Sequence, residues 1–379
     1  MVSRAVCEVD LDAISANVEV LRSHAPGAAL LAVVKADGYG HGLVPAARAA
    51  LSGGADWLGT ALLSEAVALR RAGIASPRVF AWLWSPGDDD LTAAVGNDVD
   101  VAASSVEQLD EIRAASAGAG VRARVHLKID TGLGRSGAPA DAWPGLVERA
   151  AALEASGSIV VVGVWSHFVL ADAPTSPVNT DQLTAFDAAL EVVAASELRP
   201  EVRHIANSAA TLANRAAHYD LVRPGIAVYG VSPGAEMGTP QRFGLRPAMT
   251  LRARLALVKR VPAGHGVSYG HQYVTSEPTT LGLVPLGYAD GIPRATSNRG
   301  PVLAAGQVRR IAGRVCMDQF VLDLGDDPAR AGDEVVLFGD PAQGHPPVED
   351  WAVAADTIGY EIVTRLGPRI ERRHVGGPL

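Results

Sequence analysis

Between Ala29 and Arg223, short β-branched runs alternate with longer stretches rich in Ala, Leu and Glu. This alternation restricts the chain to repeated strand–helix units. The runs are Leu30 to Lys35, Trp57 to Thr60, Arg78 to Ala81, Val99 to Ala103, Ala123 to Asp130, Ile159 to His167, Val202 to Ala206 and Leu221 to Arg223. About eight such units are what a (β/α)8 barrel requires. The segments between them agree: Val106 to Ala117 and Thr180 to Ala195 place apolar residues three and four apart, as amphipathic helices of an outer ring do.

After about Arg246 the texture changes. Thr250 to Val261, Val302 to Val308, Gln319 to Leu324 and Glu334 to Phe338 are strand-like, with Gly and Pro turns between them, and long helical windows nearly vanish. The expected fold class is therefore α/β plus β: a barrel over residues 1–240 and a mainly β domain over residues 241–379. The Gly/Pro-rich patch Ser232 to Thr239 reads as a linker, and the first strand, Ala5 to Val9, could pair with either domain.

A chain of 379 residues with 48% hydrophobic and 20% charged residues can bury a large core. No apolar run reaches the roughly 18 to 20 residues of a membrane span. A net charge of −8 without a basic block argues against nucleic acid or anionic lipid as the main partner, which leaves a small molecule. Met1 to Asp10 meets Glu8 and Asp10 too early for a secretory apolar core, so a cytoplasmic location is expected. Cys7 and Cys316 lie far apart and outside any CxxC spacing, so neither a disulfide nor a bound metal is expected. The basic residues are more informative, because three lysines, Lys35, Lys128 and Lys259, stand against thirty arginines. A lysine retained in such a chain marks chemistry closed to a guanidinium, such as imine or carbamate formation at a neutral amine.

Lys35 ends the first of these runs and precedes the glycine turn Gly38-Tyr39-Gly40-His41-Gly42, whose backbone can approach a ligand closely. These glycines do not spell GxGxxG, and the chain has no GxxxxGK[ST], so neither a Rossmann nor a P-loop reading is supported. The run Ala32-Val33-Val34-Lys35-Ala36-Asp37-Gly38-Tyr39-Gly40-His41-Gly42 resembles the attachment motif for pyridoxal phosphate (PLP) of alanine racemases. Further segments resemble that family in the same order: His126 to Arg135, Trp165 to Phe168, Ala206 to Ala209, Val222 to Ile226, Gly266 to Gly270, Gly287 to Gly291 and Cys316 to Asp318. The resemblance covers essentially the whole chain.

The resemblance implies a barrel that binds PLP through Lys35 and racemises alanine with two bases, supplying D-alanine for peptidoglycan. Reversal at a carbon needs an acid/base on each face, and Tyr269, reaching in from the partner of a homodimer, is implied opposite Lys35. A tyrosine has a reference pKa of about 10, so cationic neighbours must favour its phenolate. Arg223 is implied at the pyridine nitrogen, leaving PLP a weaker electron sink than an acidic partner would, with His167 orienting it. Tyr39, Asn207, Ser208, Gly225, Ile226 and Tyr360 are implied around the cofactor. Arg135 is implied at the substrate carboxylate or the PLP phenolic oxygen, the Met317 amide of the partner subunit at the same carboxylate, Tyr288 as a gate, and Lys128 as a carbamylated lysine holding Arg135.

Taken singly, these residues carry plainer readings. Met317 could be core filler, Ser208 an N-cap, Arg223 an ion-pair arginine and Lys128 the partner of Asp130. The alternatives at the level of function are a broad-specificity amino acid racemase, a PLP-dependent decarboxylase and a non-catalytic PLP carrier. Asp37 and the segment Ser85 to Asp90 carry no reading from sequence.

Overall fold

The structure is a computed structural model that describes residues 3–88 and 90–377. Asp89, within the unread segment Ser85 to Asp90, lies outside the described residues. Numbering strands in chain order, β1 is Ala5–Asp10, β2 Ala29–Val33, β3 Trp57–Leu62, β4 Arg78–Leu83, β5 Val99–Ala103, β6 Ala123–Lys128, β7 Ile159–Trp165, β8 Val202–His204 and β9 Leu221–Val222.

Strands β2 to β9 form an eight-stranded sheet in the order β8-β7-β6-β5-β4-β3-β2-β9, and every neighbouring pair is parallel. Backbone bonds from Asp220 to Arg203 (3.1 Å) and from Arg223 to Ala206 (3.0 Å) bring β9 back against β8, so the barrel is nearly closed. Helices cover the outside, and β5 is buried along its whole length because it has neighbours on every side. Ser85 to Asp88 is the turn leaving β4: Ser85 O accepts from Asp88 and the Gly87 amide donates to Glu111.

The expected barrel runs lie in the right places; Val99 to Ala103 coincides with β5, the runs ending at Thr60 and Ala81 stop two residues short of Leu62 and Leu83, and the other five extend too far at their C-terminal ends. Sequence predicts strand to Lys35, Asp130, His167, Ala206 and Arg223, whereas the strands stop at Val33, Lys128, Trp165, His204 and Val222. The backbone bonds to the neighbouring strand continue for about one residue, as from Val34 to Gly59 O and from Ile129 to Trp165 O, and then the chain turns; Lys35, His167 and Arg223 line the cavity at the barrel mouth.

Nine of the remaining strands form one sheet, in which β1 pairs antiparallel with Met249–Arg254 and parallel with Glu371–Val375, and Gly266–Val267 pairs with Tyr273–Val274 as a separate two-stranded ribbon. The first strand of the chain thus belongs to the second sheet. Two expected single strands are each two strands. Thr250 to Val261 breaks at Leu255, whose amide bonds Asp333 O while Ala256 bonds Leu283 O, so the chain changes partner there. Val302 to Val308 folds into a hairpin because Ala305 (φ 48°) and Gly306 (φ 77°) turn left-handed. The second half also holds two helices that periodicity did not reveal, Val348–Ala355 and Gly359–Thr364.

The two halves meet at the glycine turn after β2. Arg372 Nε donates to Gly40 O at 2.8 Å, and His374 Nε2 lies 2.7 Å from His41 O. Gly40 has φ 81°, and a Cβ there would stand 2.3 Å from Val363 O on the Gly359–Thr364 helix. Gly40→Ala is therefore expected to destabilise the fold by about 1–3 kcal/mol, read as a lower thermal midpoint of unfolding; an unchanged midpoint would contradict this close approach.

Candidate active site

Lys35 opens a backbone feature that is costly for L-residues. Ala36 (φ 53°), Asp37 (φ 54°), Gly38 (φ 61°) and Tyr39 (φ 52°) are all left-handed in succession, at roughly 1–2 kcal/mol for each residue with a Cβ. Local bonds offset the cost. Glu65 accepts the Ala36 amide at 2.6 Å, Gly38 N donates to Val34 O at 2.9 Å, and Gly42 N donates to Asp37 O at 2.8 Å. Asp37 acquires a role here, since its Oδ1 accepts the amide of Leu43, the first residue of helix Leu43–Ser52. The turn puts Lys35 Nζ 5.9 Å from the Tyr39 ring and 5.8 Å from the Trp82 ring. Burial lowers the Lys35 pKa and the Arg135 charge lowers it further, against an opposing pull from Glu65.

Lys35 faces a cavity of about 990 Å³ at the C-terminal ends of the strands. Tyr39, Lys128, Arg135, His167, Asn207, Ser208, Arg223, Gly225, Ile226 and Tyr360 also line it, so ten further residues expected from the sequence meet Lys35 in one place. Arg223 is buried and, among the described residues, touches no carboxylate. Its guanidinium donates to Ser166 O at 2.9 Å and to His204 Nδ1 at 3.0 Å, with His167 Nδ1 at 3.3 Å. Burial pushes the Arg223 pKa down to about 9, and the plain reading of an ion-pair arginine does not hold. His167 is held well below its usual pKa by burial and then by the Arg223 charge, so it is neutral at pH 7 and can accept.

Lys128 does not pair with Asp130. Asp130 accepts the amides of Gly132, Leu133 and Gly134, while Lys128 Nζ donates to Ser136 Oγ at 2.5 Å and lies 4.2 Å from the Trp165 ring centre. Burial, then the charges of Arg223 and Arg135, lower its pKa to about 7. Near neutral pH a large share of this amine is therefore unprotonated and nucleophilic.

Across the cavity, Ser208 Oγ accepts the amides of Gly225 (2.8 Å) and Ala227 (3.3 Å). Ser208 is not the helix cap: Asn207 is, its Oδ1 accepting Ala210 N at 3.1 Å, which leaves the Ser208 hydroxyl facing Gly225. A Cβ on Gly225 would stand 2.3 Å from the Tyr39 hydroxyl, so glycine keeps this corner open. Tyr39 and Tyr360 pack 6.1 Å apart, and burial raises both phenol pKa values, keeping the hydroxyls as neutral donors.

Three expected residues do not line this cavity. Tyr269 is 71% exposed, Met317 53% and Tyr288 43%, which removes core filling as a reading of Met317. They lie on joined loops of the second domain: Tyr288 N donates to Cys316 O at 3.0 Å, Ala289 N to Met317 O at 2.9 Å, and Ser268 Oγ lies 3.4 Å from Cys316 Sγ. Sequence reasoning passed over Glu65, Trp82, Asp100, His126 and His204. The last three sit inside apolar strand runs, and a polar residue there signals a hydrogen-bonded interior.

Comparison with known proteins settles the kinship. The family model "Alanine racemase, N-terminal domain" matches residues 9–233 and "Alanine racemase, C-terminal domain" matches residues 248–374. The chain belongs to the alanine racemase family. An alanine racemase of Frankia casuarinae is 58% identical over 98% of this chain and 96% of its own length. The crystal structure of alanine racemase from D-cycloserine producing Streptomyces lavendulae superposes with a TM-score of 0.98 at 58% identity, covering 100% of this chain and 98% of that one. The Bacillus anthracis alanine racemase with bound L-Ala-P superposes at 0.89 with 34% identity, covering 99% and 96%. Alanine racemases are isomerases acting on amino acids, and membership sets aside the decarboxylase and carrier alternatives.

The lowered Lys128 pKa is open to measurement. After reductive methylation with 13C-formaldehyde, the Lys128 methyl resonance, assigned with Lys128→Arg, should titrate with a midpoint near 7, the amine being neutral above it and charged below; a midpoint above about 9, close to an ordinary lysine, would contradict the burial argument.

Proposed function

We propose that this cavity holds PLP and that the protein racemises alanine with one base from each of two chains. The observation that carries the proposal is the pairing, in one cavity, of an amine held towards neutrality at Lys35 with a buried guanidinium at Arg223 whose partners include neutral imidazoles rather than carboxylates. The corner at Gly225, kept free of a side chain beside the Ser208 hydroxyl and the Tyr39 phenol, suits a phosphate group. When bound, PLP supplies an electron sink that makes the α-proton of an attached amino acid removable.

The residues divide the work. Lys35 tethers the cofactor and, once freed, moves a proton to and from the α-carbon on one face. Arg223 would donate to the ring nitrogen without giving up its proton, which would keep the electron sink weak and favour return of the proton to carbon over side reactions. His167 orients Arg223. Tyr39, Ser208, Tyr360 and the Ile226 amide would hold the phosphate, joined by the Gly225 amide on release from Ser208 Oγ, while Asn207 fixes the helix start beneath it.

Tyr269 of the partner subunit moves the proton on the opposite face, with the Met317 amide of that subunit on the substrate carboxylate and its Tyr288 narrowing access. What supports sharing is the exposure of this trio on joined loops, together with an exposed apolar rim at Leu62 and Leu83 at the end of two barrel strands. An isolated apolar rim of this kind suits a second copy of the chain. Arg135 binds the substrate carboxylate, and Lys128, with a pKa of about 7, takes up CO2 as a carbamate whose negative charge holds Arg135. Among the described residues no helix is long and apolar enough to cross a membrane; the reading places the enzyme in the cytoplasm, as a source of D-alanine for the cell wall.

Borohydride reduction of the PLP-loaded protein followed by peptide mapping should place the pyridoxyl group on Lys35. Label on Lys128 or Lys259 would overturn the assignment. With 13C-bicarbonate, a carbamate carbon resonance should grow as pH rises through 7 and vanish in Lys128→Arg; its persistence in that variant would remove Lys128 as the site.

A further inference from the structure

Behind Arg223 the barrel interior holds a chain of polar groups that the reaction described above does not use. Arg223 Nη1 lies 3.0 Å from His204 Nδ1, His204 Nε2 lies 2.9 Å from His126 Nδ1, and His126 Nε2 lies 3.2 Å from Asp100 Oδ2. Asp100 is fully buried on β5, and it meets the Arg124 guanidinium through Oδ1 and Arg78 Nε at 3.4 Å through Oδ2. These arginines continue to the surface, Arg124 on Asp98 and Arg78 on Glu201 at 2.5 Å. The chain therefore runs from the cavity at one end of the barrel to ion pairs at the other.

Among the described residues the two imidazoles have no other polar partner. Phe80 stacks on His126 with ring centres 4.3 Å apart, and Trp165 lies parallel to His204 at 5.8 Å and 8°. Space for His126 is made by its neighbour strand: a Cβ on Gly163 of β7 would stand 2.2 Å from His126 Nδ1, and the β6–β7 register shifts between Val125 and His126. Both rings are neutral. Burial, against the opposing pull of Asp100, lowers the His126 pKa, and burial followed by the Arg223 charge takes His204 well below its usual value. Burial would raise the Asp100 pKa, but the bond from His126 and the two arginines outweigh it and keep the carboxylate ionised.

Neutrality leaves one assignment of protons. A guanidinium only donates, so His204 must accept at Nδ1 and carry its proton on Nε2. That proton points at His126 Nδ1, which must accept in turn, so His126 carries its proton on Nε2 and donates to a carboxylate that only accepts. Every bond points the same way, from the cation at the cavity to the anion behind it.

We propose that Asp100 is a positioning residue for Arg223, acting through His126 and His204 as a one-way chain of hydrogen bonds that fixes both tautomers and holds the guanidinium in place as a donor. Only its consequence for the reaction rests on the reading of Arg223 as the partner of the cofactor ring. A carboxamide at position 100 breaks the direction. Arg124, which makes a much closer contact than Arg78, claims the carboxamide oxygen; the carboxamide NH2 then faces His126 Nε2, Arg78 loses its acceptor, and the protons on both rings reverse, so that His204 presents an N–H to Arg223, donor against donor.

Neutron diffraction from crystals of the PLP-loaded, deuterated protein reads these protons directly. The expected result is deuterium on Nε2 and none on Nδ1 of both His126 and His204; deuterium on His204 Nδ1, or on both nitrogens of either ring, would overturn the proposal. In solution, Asp100→Asn should shift the absorption band of the bound cofactor and lower kcat roughly tenfold while KM for alanine stays within about twofold. Should that variant fail to fold, His126→Leu, which leaves His204 Nε2 without its acceptor and Asp100 with its arginines, should also shift the band and lower kcat while KM stays within about twofold. Wild-type spectrum and kcat in whichever variant folds would sink the idea. Failure of Lys35 labelling by borohydride, with the proton positions as expected, would overturn the cofactor reading alone.

Discussion

A guanidinium buried at the mouth of a barrel, with no carboxylate beside it, sets the character of everything around it. Removing such a charge from water is costly, and here the compensation comes from a carbonyl and from imidazole nitrogens rather than from an anion. The field of Arg223 then acts on its neighbours. It helps to drive Lys128 to about 7 and to hold His167 and His204 neutral. The cavity becomes a place rich in donors, short of negative charge and lined by two amines weakened as bases. An anionic cofactor that reacts with neutral amines meets those conditions, and few other ligands do.

The second constraint is backbone. Lys35 stands at the head of a left-handed turn that no short local sequence would adopt alone, and the surrounding structure holds it from both sides. Glu65 holds it from the next strand–helix unit, while Arg372 and His374 reach it from the last strand of the second domain. The second domain therefore does more than present Tyr269, Met317 and Tyr288 at its surface. It grips the turn carrying Lys35 through a sheet that also contains the first strand of the chain, which explains why that strand departs from the barrel so soon after the N-terminus.

Much of the fold was legible because barrel strands and their helices have distinct periods, and all eight parallel runs stood out. Their ends did not, since residues such as Lys35 and Asp130 continue the local pattern yet have left the ladder. The break at Leu255 was hidden because it interrupts a run of strand formers without a Gly or Pro, and the hairpin at Ala305-Gly306 because a single glycine was its only mark. The cavity residues were found through motif resemblance rather than through pattern. Glu65, Asp100, His126 and His204 were missed because their meaning lies in partners far along the chain: Asp100 and His126 are neighbours only because β5 and β6 pair. Asp37 looked like one more polar residue until its carboxylate was seen to hold the Leu43 amide.

The account stands or falls on two chains building one site. Mixing Lys35→Ala protein with Tyr269→Ala protein, unfolding and refolding them together, produces mixed dimers with one site that has lost both groups and one that has kept both. The account predicts recovery of roughly a quarter of wild-type activity, half of the dimers being mixed and each carrying one intact site. No recovery from dimers shown to be mixed would contradict it.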